Sequence, residues 1–100
     1  MSKQYIEHLA EDRRLCILRL LKEYNGTAND SVIHAAVDRI GHRGVPRSDI
    51  RQDLRFLINN GCIVDEWYDD IQVATITRRG VEVAEGSVVV EGIKKPSIGV

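Results

Sequence analysis

Hydrophobic residues recur at helical spacing through the first 60 positions of the chain and then change to a strand-like pattern. Apolar stripes with polar residues between them predict three amphipathic helices, over about residues 3–24, 29–40 and 48–60. Each predicted helix is followed by a glycine, and glycine favours the end of a helix because it readily adopts the left-handed conformation. The three stops are Asn25–Gly26, Gly41 and Asn60–Gly61. Residues 42–47 hold a glycine and a proline, and we expect a loop there.

The second part of the chain predicts a β-hairpin and a short helix. Residues 62–68 and 72–76 are typical of two strands around Asp69 and Asp70. A last helix over 78–85 is expected to end at Gly86. N-cap residues are expected at the cluster 29–31, at Ser48 and at Thr77.

The order of these elements predicts the fold class. The predicted fold is mainly α with a β-hairpin (α+β). Three helices followed by a two-stranded hairpin is the element order of a winged helix-turn-helix, and here a short C-terminal helix follows the hairpin. Residues 1–86 are predicted to form this domain, and 87–100 an extended tail or arm. The alternative is that the tail folds back over its own core.

Length and composition exclude several classes of protein. A chain of 100 residues has room for one domain. No apolar run approaches the roughly 20 residues of a membrane span, and no signal-peptide core is present, so we expect a cytoplasmic protein of a bacterial host with no membrane partner. Cys16 and Cys62 are the only cysteines, and both are expected to be buried thiols.

The formal net charge of −1 hides an uneven distribution. Between Arg39 and Arg55 there are five arginines against two aspartates, a local charge of +3. Residues 62–85 hold two arginines against six carboxylates, a local charge of −4. The sequence therefore predicts a basic helix-turn-helix beside an acidic wing.

The third helix holds the candidate DNA contacts. Arg47, Arg51 and Arg55 are spaced four residues apart, which places them on one helix face. Arginine and glutamine are residue types that recognise base edges in the major groove. The candidate DNA-binding residues are Arg43, Arg47, Ser48, Arg51, Gln52 and Arg55. The alternative is a solvated face on which Asp49 and Asp53 pair with neighbouring arginines.

The acidic wing argues against ordinary wing contact with DNA, because carboxylates are repelled by phosphate. The charges concerned are Asp65, Glu66, Asp69 and Asp70. Either the wing does not touch DNA, or the domain is a protein-interaction adaptor that meets a basic partner. Trp67 and Tyr68 alternate along their strand, so one is expected to face inward and the other outward.

No pattern indicates an enzyme, a cofactor or a metal site. His8, His34 and His42 lack metal-ligand spacing. Asp30, Ser31 and His34 share one helical turn, which cannot reproduce a catalytic triad. No catalytic residue is predicted.

Residues 13–86 resemble the winged-helix domains of ArsR- and MarR-type bacterial regulators. The resemblance lies in residues 14–21 (RLCILRLL), 49–63 (DIRQDLRFLINNGCI) and 75–84 (TITRRGVEVA). It implies a recognition helix over 48–60 and a wing after it. The Cys-x-Cys metal box of ArsR sensors is absent.

Nearly the whole chain is similar to a family of small proteins of Mu-like phages and prophages. The matching segments are residues 29–34 (NDSVIH), 41–42 (GH), 73–80 (VATITRRG) and 92–96 (GIKKP). The resemblance implies a phage context and a winged-helix fold but no activity. We expect a transcriptional regulator or accessory factor that binds double-stranded DNA as a homodimer, the alternative being an adaptor for a phage protein partner.

Overall fold

The computed structural model describes residues 2–97 and has an α+β architecture of four helices and one three-stranded antiparallel sheet. In chain order the elements are α1 (Lys3–Glu23), β1 (Thr27–Asn29), α2 (Asp30–Arg39), α3 (Arg47–Asn59), β2 (Ile63–Tyr68), β3 (Ile71–Ile76) and α4 (Arg78–Glu85). The strand order is β1-β3-β2. This arrangement is compatible with a winged-helix-like fold.

Side-chain caps fix two of the predicted helix starts. Asn29 accepts a hydrogen bond from the backbone N–H of Val32 at the start of α2, and Thr77 accepts one from Gly80 at the start of α4. The prediction of Ser48 as an N-cap is wrong. α3 begins one residue earlier, at Arg47, after Pro46, whose fixed φ suits the position before a helix although it offers no side-chain cap.

The sheet contains a strand that the sequence pattern did not reveal. β1 is three residues long and pairs with β3, with Thr27 opposite Thr75 and Asn29 opposite Val73. Three residues are too few to show an alternating pattern, so this strand is defined by its partner rather than by its own sequence. The predicted two-stranded wing is therefore part of a three-stranded sheet.

The core lies between the helices and the inner face of the sheet. It contains apolar residues from α1, α2, α3, the sheet, α4 and the segment after α4. Its fully buried large members include Leu18, Leu21, Ile33, Leu54 and Leu57. Burial of these aliphatic side chains is the main driving force for bringing the helices together.

The C-terminal segment, up to residue 97, packs against the rest of the chain. Val90 and Ile93 are each 6% exposed, and the backbone N–H of Lys94 donates to the carbonyl of Glu11 on α1 at 3.1 Å. Gly92, at φ +95°, places its Cα against the ring of Phe56 on α3. Of the two alternatives for the tail, its described part is folded over the core.

The expectation of two buried thiols is correct for Cys62 and wrong for Cys16. Cys62 is buried, whereas Cys16 is half-buried on α1. Both are free thiols, and burial raises the pKa of each.

Candidate nucleic-acid interface

The outward face of α3 and the loop before it carry exposed basic and polar residues. We call this surface the basic face, and its members are the six predicted DNA-binding residues, all exposed: Arg43, Arg47, Ser48, Arg51, Gln52 and Arg55. The opposite side of α3 is buried through Ile50, Leu54 and Leu57. The helix therefore turns one side to the core and presents the other to solvent, as the residue spacing predicts.

Two arginines of the basic face are engaged within the protein. Nη2 of Arg51 donates to Oδ2 of the buried Asp30 at 3.1 Å and lies 3.5 Å from the carbonyl of Asp70 at the hairpin tip. Its guanidinium also lies 5.5 Å from the ring centroid of Trp67. Arg47 donates to the hydroxyl of Ser31 on α2.

The other four members of the basic face keep their side chains available. Among residues 2–97, no side-chain hydrogen bond or ion pair involves Arg43, Ser48, Gln52 or Arg55. Arg51 thus links three elements of the protein, while Arg43 and Arg55 present guanidinium donors that no group of the described chain satisfies.

The carboxylate of Asp53 does not neutralise the basic face. Asp53 is 1% exposed and faces α1, where Arg13 donates to both of its oxygens and Nε of Arg14 lies 3.2 Å from Oδ1. Burial raises the pKa of Asp53 against the opposing effect of the two arginines. The interpretation that Asp53 belongs to a solvated face is wrong, because its side chain is buried in the α1–α3 interface and pairs there with Arg13 and Arg14.

A cleft of about 240 Å³ separates α3 from the hairpin. It is lined by Arg51, Arg55, Ile58, Asp65, Trp67 and Gln72. Inside it, Oδ2 of Asp65 accepts hydrogen bonds from Nε1 of Trp67 at 3.1 Å and from Nε2 of Gln72 at 2.9 Å. The charge of Asp65 is therefore directed at two neutral donors within the hairpin.

The remaining acidic residues of the hairpin lie at its exposed end. Glu66, Asp69 and Asp70 are exposed, and Asp69 adopts a positive φ of 56° at the turn. This acidic tip stands next to Arg51, whose guanidinium reaches the Asp70 carbonyl. The hairpin thus carries the predicted exposed acidic residues, and its tip borders the basic face.

Trp67 and Tyr68 of β2 face opposite sides of the sheet, as expected, but both are exposed. Trp67 is 51% exposed and Tyr68 57%. Successive side chains do alternate, but near the hairpin tip neither face of the sheet is covered by the core. Trp67 faces the cleft, and Tyr68 lies on the outer face beside Ile71, its cross-strand neighbour.

The histidines that could carry chemistry lie in two different settings. A ring nitrogen of His34 is hydrogen-bonded to the carbonyl of Val45, which ties α2 to the loop before α3. His42 lies beside Asp12 and Cys16 of α1, and one ligand atom from each lies within 4.8 Å of the others. His42 is far along the chain from Asp12 and Cys16, so the spacing of the three residues gives no metal signature. The only local signal is that Asp12 and Cys16 are one helical turn apart.

Within residues 2–97, every helix falls short of the length and apolar character that a membrane crossing requires.

Comparison with known proteins identifies relatives in a phage and in a bacterium. No family model matches the chain. The chain is 40% identical over 88 residues to the uncharacterized protein gp26 of Escherichia phage Mu, covering 88% of this chain and 91% of that protein. It is 35% identical over 74 residues to an uncharacterized protein of Haemophilus influenzae, covering 73% of this chain and 72% of the relative.

Proposed function

The chain belongs to the family of the phage Mu protein gp26, and from that premise we propose that it is a phage-encoded DNA-binding protein with a winged-helix fold. In this proposal α3 is the recognition helix, and the protein acts as a transcriptional regulator or DNA-associated accessory factor in the host cytoplasm. The order of the helices and hairpin supports this proposal, in which α2, the loop 40–46 and α3 are the helix-turn-helix and β2 and β3 the wing.

The observation that carries the proposal is the set of unsatisfied donors on the basic face. Arg43 and Arg55 have exposed guanidinium groups without a partner in the described chain, and Gln52 lies between them in sequence. Guanidinium groups bind phosphate and guanine, and a glutamine amide can read adenine. We assign Arg55 and Gln52 to base edges, and Arg43 and Ser48 to the phosphate backbone.

Arg51 and Arg47 have a different role in this proposal. Their contacts with Asp30 and Ser31 hold α3 against the N-terminal end of α2, so they orient the helix while still facing the nucleic acid. The acidic tip, which repels phosphate, would keep the wing off the DNA backbone and leave α3 as the principal contact.

A homodimer would place two copies of α3 at the spacing of two half-sites. The first turns of α1 offer apolar surface for such contact, because Tyr5 is 50% exposed and Ile6 is 55% exposed. Sedimentation of the protein with and without DNA would test this part of the proposal.

The binding proposal is tested by fluorescence anisotropy with double-stranded fragments of phage DNA, over a range of salt concentrations. The test variant carries Arg43→Ala and Arg55→Ala. The control variant carries Arg19→Ala and Arg78→Ala, which removes the same charge from exposed positions on α1 and α4. We expect the test variant to bind more weakly, with the salt slope reduced by about 1 through loss of the Arg43 phosphate contact, and the control to bind like the unchanged protein.

Two results would contradict DNA binding through α3. One is no salt-sensitive binding at low salt. The other is an equal loss of affinity in the test and control variants, which would mean that only net charge matters.

A second candidate function, a protein-interaction adaptor, is supported by the outer face of the sheet. Val64, Tyr68 and Ile71 are 56%, 57% and 47% exposed on that face, next to the carboxylates of the tip. Apolar side chains beside a strong negative charge suit a partner with a basic rim around an apolar patch.

Co-purification from phage-infected cells separates the two candidates. An adaptor would retain a stoichiometric protein partner, lose it on Tyr68→Ser with Ile71→Ser, and keep it on Arg43→Ala with Arg55→Ala. Recovery of DNA without such a partner would contradict the adaptor function.

A further inference from the structure

Three side chains with metal-binding atoms meet where α1 packs against the loop between α2 and α3. Oδ2 of Asp12 lies 2.8 Å from Nε2 of His42 and 3.8 Å from Sγ of Cys16. In a tetrahedral zinc site the ligand atoms lie about 3.3–3.8 Å apart, given metal–ligand distances of about 2.0–2.3 Å. The Asp12–Cys16 distance already has this value, and all three atoms lie within 4.8 Å of one another, so an ion between them would require the Asp12 and His42 atoms to move apart by about 0.5 Å.

We propose that Asp12, Cys16 and His42 bind a divalent transition-metal ion of the zinc type, with the fourth coordination position left to water. A carboxylate oxygen, a thiolate and an imidazole nitrogen are ligand types that zinc and cobalt(II) share. Three protein ligands with one open position is a common arrangement for such an ion.

The backbone holds these ligands in place without the ion. Asp12 and Cys16 lie one turn apart on α1, within a continuous helix, so their side chains emerge on the same side. His42 is fixed by a hydrogen bond from its backbone N–H to the carbonyl of Val37 at 3.0 Å, after Gly41 with its positive φ of 127°. The His42 side chain is 9% exposed, that of Asp12 is 38% exposed and Cys16 is half-buried, so solvent reaches the site mainly from the side of Asp12.

The metal-free site is stabilised by contacts that an ion would replace. The pKa of Asp12 is raised by burial but lowered more by its hydrogen bonds with His42 and Lys94, so the net shift is downward and the carboxylate is ionised. Burial and the charge of Asp12 raise the pKa of Cys16, which keeps the thiol protonated. Binding would form the metal–sulfur bond and release the thiol proton to solvent, so affinity is expected to rise with pH.

Two positive charges lie near the site, since both Lys94 and Arg19 act on Cys16, and Lys94 also pairs with Asp12. Nζ of Lys94 lies 3.4 Å from Oδ1 of Asp12, the carboxylate oxygen that does not face His42. The Lys94 side chain is 54% exposed, so it can move into solvent when a second cation binds. Removal of this charge should therefore strengthen metal binding.

The test is a titration of the full-length, reduced protein with Co²⁺, followed by visible absorption, and then displacement by Zn²⁺. We expect thiolate-to-cobalt charge-transfer absorption and the bands of four-coordinate cobalt, with one ion bound per chain. Cys16→Ser should abolish the charge-transfer absorption. His42→Ala should weaken cobalt binding about 100-fold or more, because loss of a residue that only hydrogen-bonds to a metal ligand already weakens metal binding about 10- to 100-fold.

Matched controls distinguish this site from unspecific binding. Cys62→Ala removes the other thiol and His8→Ala removes an exposed histidine on α1, and both are expected to bind cobalt like the unchanged protein. Lys94→Ala should bind more tightly than the unchanged protein. Circular dichroism of the metal-free variants verifies that each one is folded.

Three outcomes would overturn the proposal. They are the absence of charge-transfer absorption in the unchanged protein, its persistence in Cys16→Ser, and equal losses in the Cys16 and Cys62 variants. If Cys16→Ser does not fold, His42→Ala and Lys94→Ala decide the question, because their expected effects have opposite signs.

Discussion

Arg13 and Arg14 of α1 and Arg43 and Arg55 of the basic face have the same side chain but opposite surroundings. Arg13 and Arg14 have side chains only 10% and 13% exposed, and both bind the carboxylate of Asp53. Arg43 and Arg55 are exposed and have no partner within residues 2–97. The buried carboxylate of Asp53 gives Arg13 and Arg14 a structural role. No carboxylate of the described chain pairs with Arg43 or Arg55, so these two side chains are available for a ligand.

Arg14 shows how far the structural role extends. Its guanidinium donates to the carbonyl of Gly92 at 2.8 Å and lies 4.1 Å from the ring centroid of Phe56, in addition to its contact with Asp53. A single side chain thus connects α1 to α3 and to the C-terminal segment. Loss of these contacts should affect folding, whereas loss of Arg55 should affect binding alone.

Removal of the buried carboxylate is the strongest test of this contrast. Asp53→Ala leaves Arg13 and Arg14 buried without their counter-charge, and breaking a buried ion pair in this way costs about 3–5 kcal/mol. Asp49→Ala, one helical turn earlier, removes the same group from a position with no ion pair in the described chain and should cost less than about 1 kcal/mol. Urea denaturation of both variants measures the two free energies of unfolding, and equal values would contradict the contrast.

Gly92→Ala tests the part of this network that involves the C-terminal segment. A Cβ atom at this position would lie 2.4 Å from the Phe56 ring, and the φ of +95° is itself unfavourable for alanine. Gly44→Ala provides the matched control, because Gly44 also has a positive φ but no atom within 4 Å of the added Cβ. We expect Gly92→Ala to destabilise the protein by about 1–3 kcal/mol more than Gly44→Ala, the cost of overpacking.

Thermal unfolding followed by circular dichroism measures the difference between the two glycine variants. If both lose the same stability, only backbone strain is involved, and the segment 90–94 is not part of the folded core.

Arg51 is intermediate in exposure and pairing between the buried arginines, Arg13 and Arg14, and the unpaired ones, Arg43 and Arg55. Its side chain is 45% exposed, and it contacts Asp30, Trp67 and the hairpin tip. Solvent screens such a pair, so Arg51→Ala should cost up to about 1 kcal/mol. Arg55→Ala should change stability by less than about 0.5 kcal/mol, as expected of a surface substitution without partners.

The effect of Arg51→Ala should also decrease in high salt, which screens partly exposed charges. Urea denaturation at low and high salt measures this change. A cost for Arg55→Ala equal to that for Arg51→Ala would mean that Arg55 has an internal role as well.

Much of the fold could be predicted because its signals are local. Apolar spacing defines α1 to α3, and the caps Asn29 and Thr77 lie within three residues of the N–H groups they accept from. The exposed side of α3 follows from the same periodicity, since a helix that buries Ile50 and Leu54 must turn Arg51 and Arg55 outward.

The rest depends on partners that are distant in sequence. Asp53 is buried only because Arg13 and Arg14 lie opposite it on α1, and β1 exists only because β3 pairs with it. The cluster of Asp12, Cys16 and His42 likewise forms when the α2–α3 loop packs on α1. Periodicity places a residue on a face of its own element, but it does not identify what lies against that face.

A small, pH-dependent effect is expected at Asp12, which is on the same helix as Arg13 but 38% exposed at its side chain. Hydrogen bonds with His42 and Lys94 outweigh burial and lower the pKa of Asp12. Its contribution to stability is therefore complete above the ordinary carboxyl pKa of about 3.9 and is lost as the pH falls through the lower folded value. Because solvent screens the group, we expect less than about 1 kcal/mol at neutral pH.

The measurement compares the unfolding free energy of the unchanged protein with that of Asp12→Asn from pH 7 to pH 2.5, with a chelator present to exclude metal binding. The difference should be constant down to about pH 4 and then diminish. Glu11→Gln, at the adjacent position, should show no such loss, because no ion pair of the Glu11 side chain occurs within residues 2–97. A difference that grows on acidification would mean that burial, rather than the two hydrogen bonds, determines the pKa shift of Asp12. The pKa of a half-exposed carboxylate on α1 would then be raised, like that of the buried Asp53.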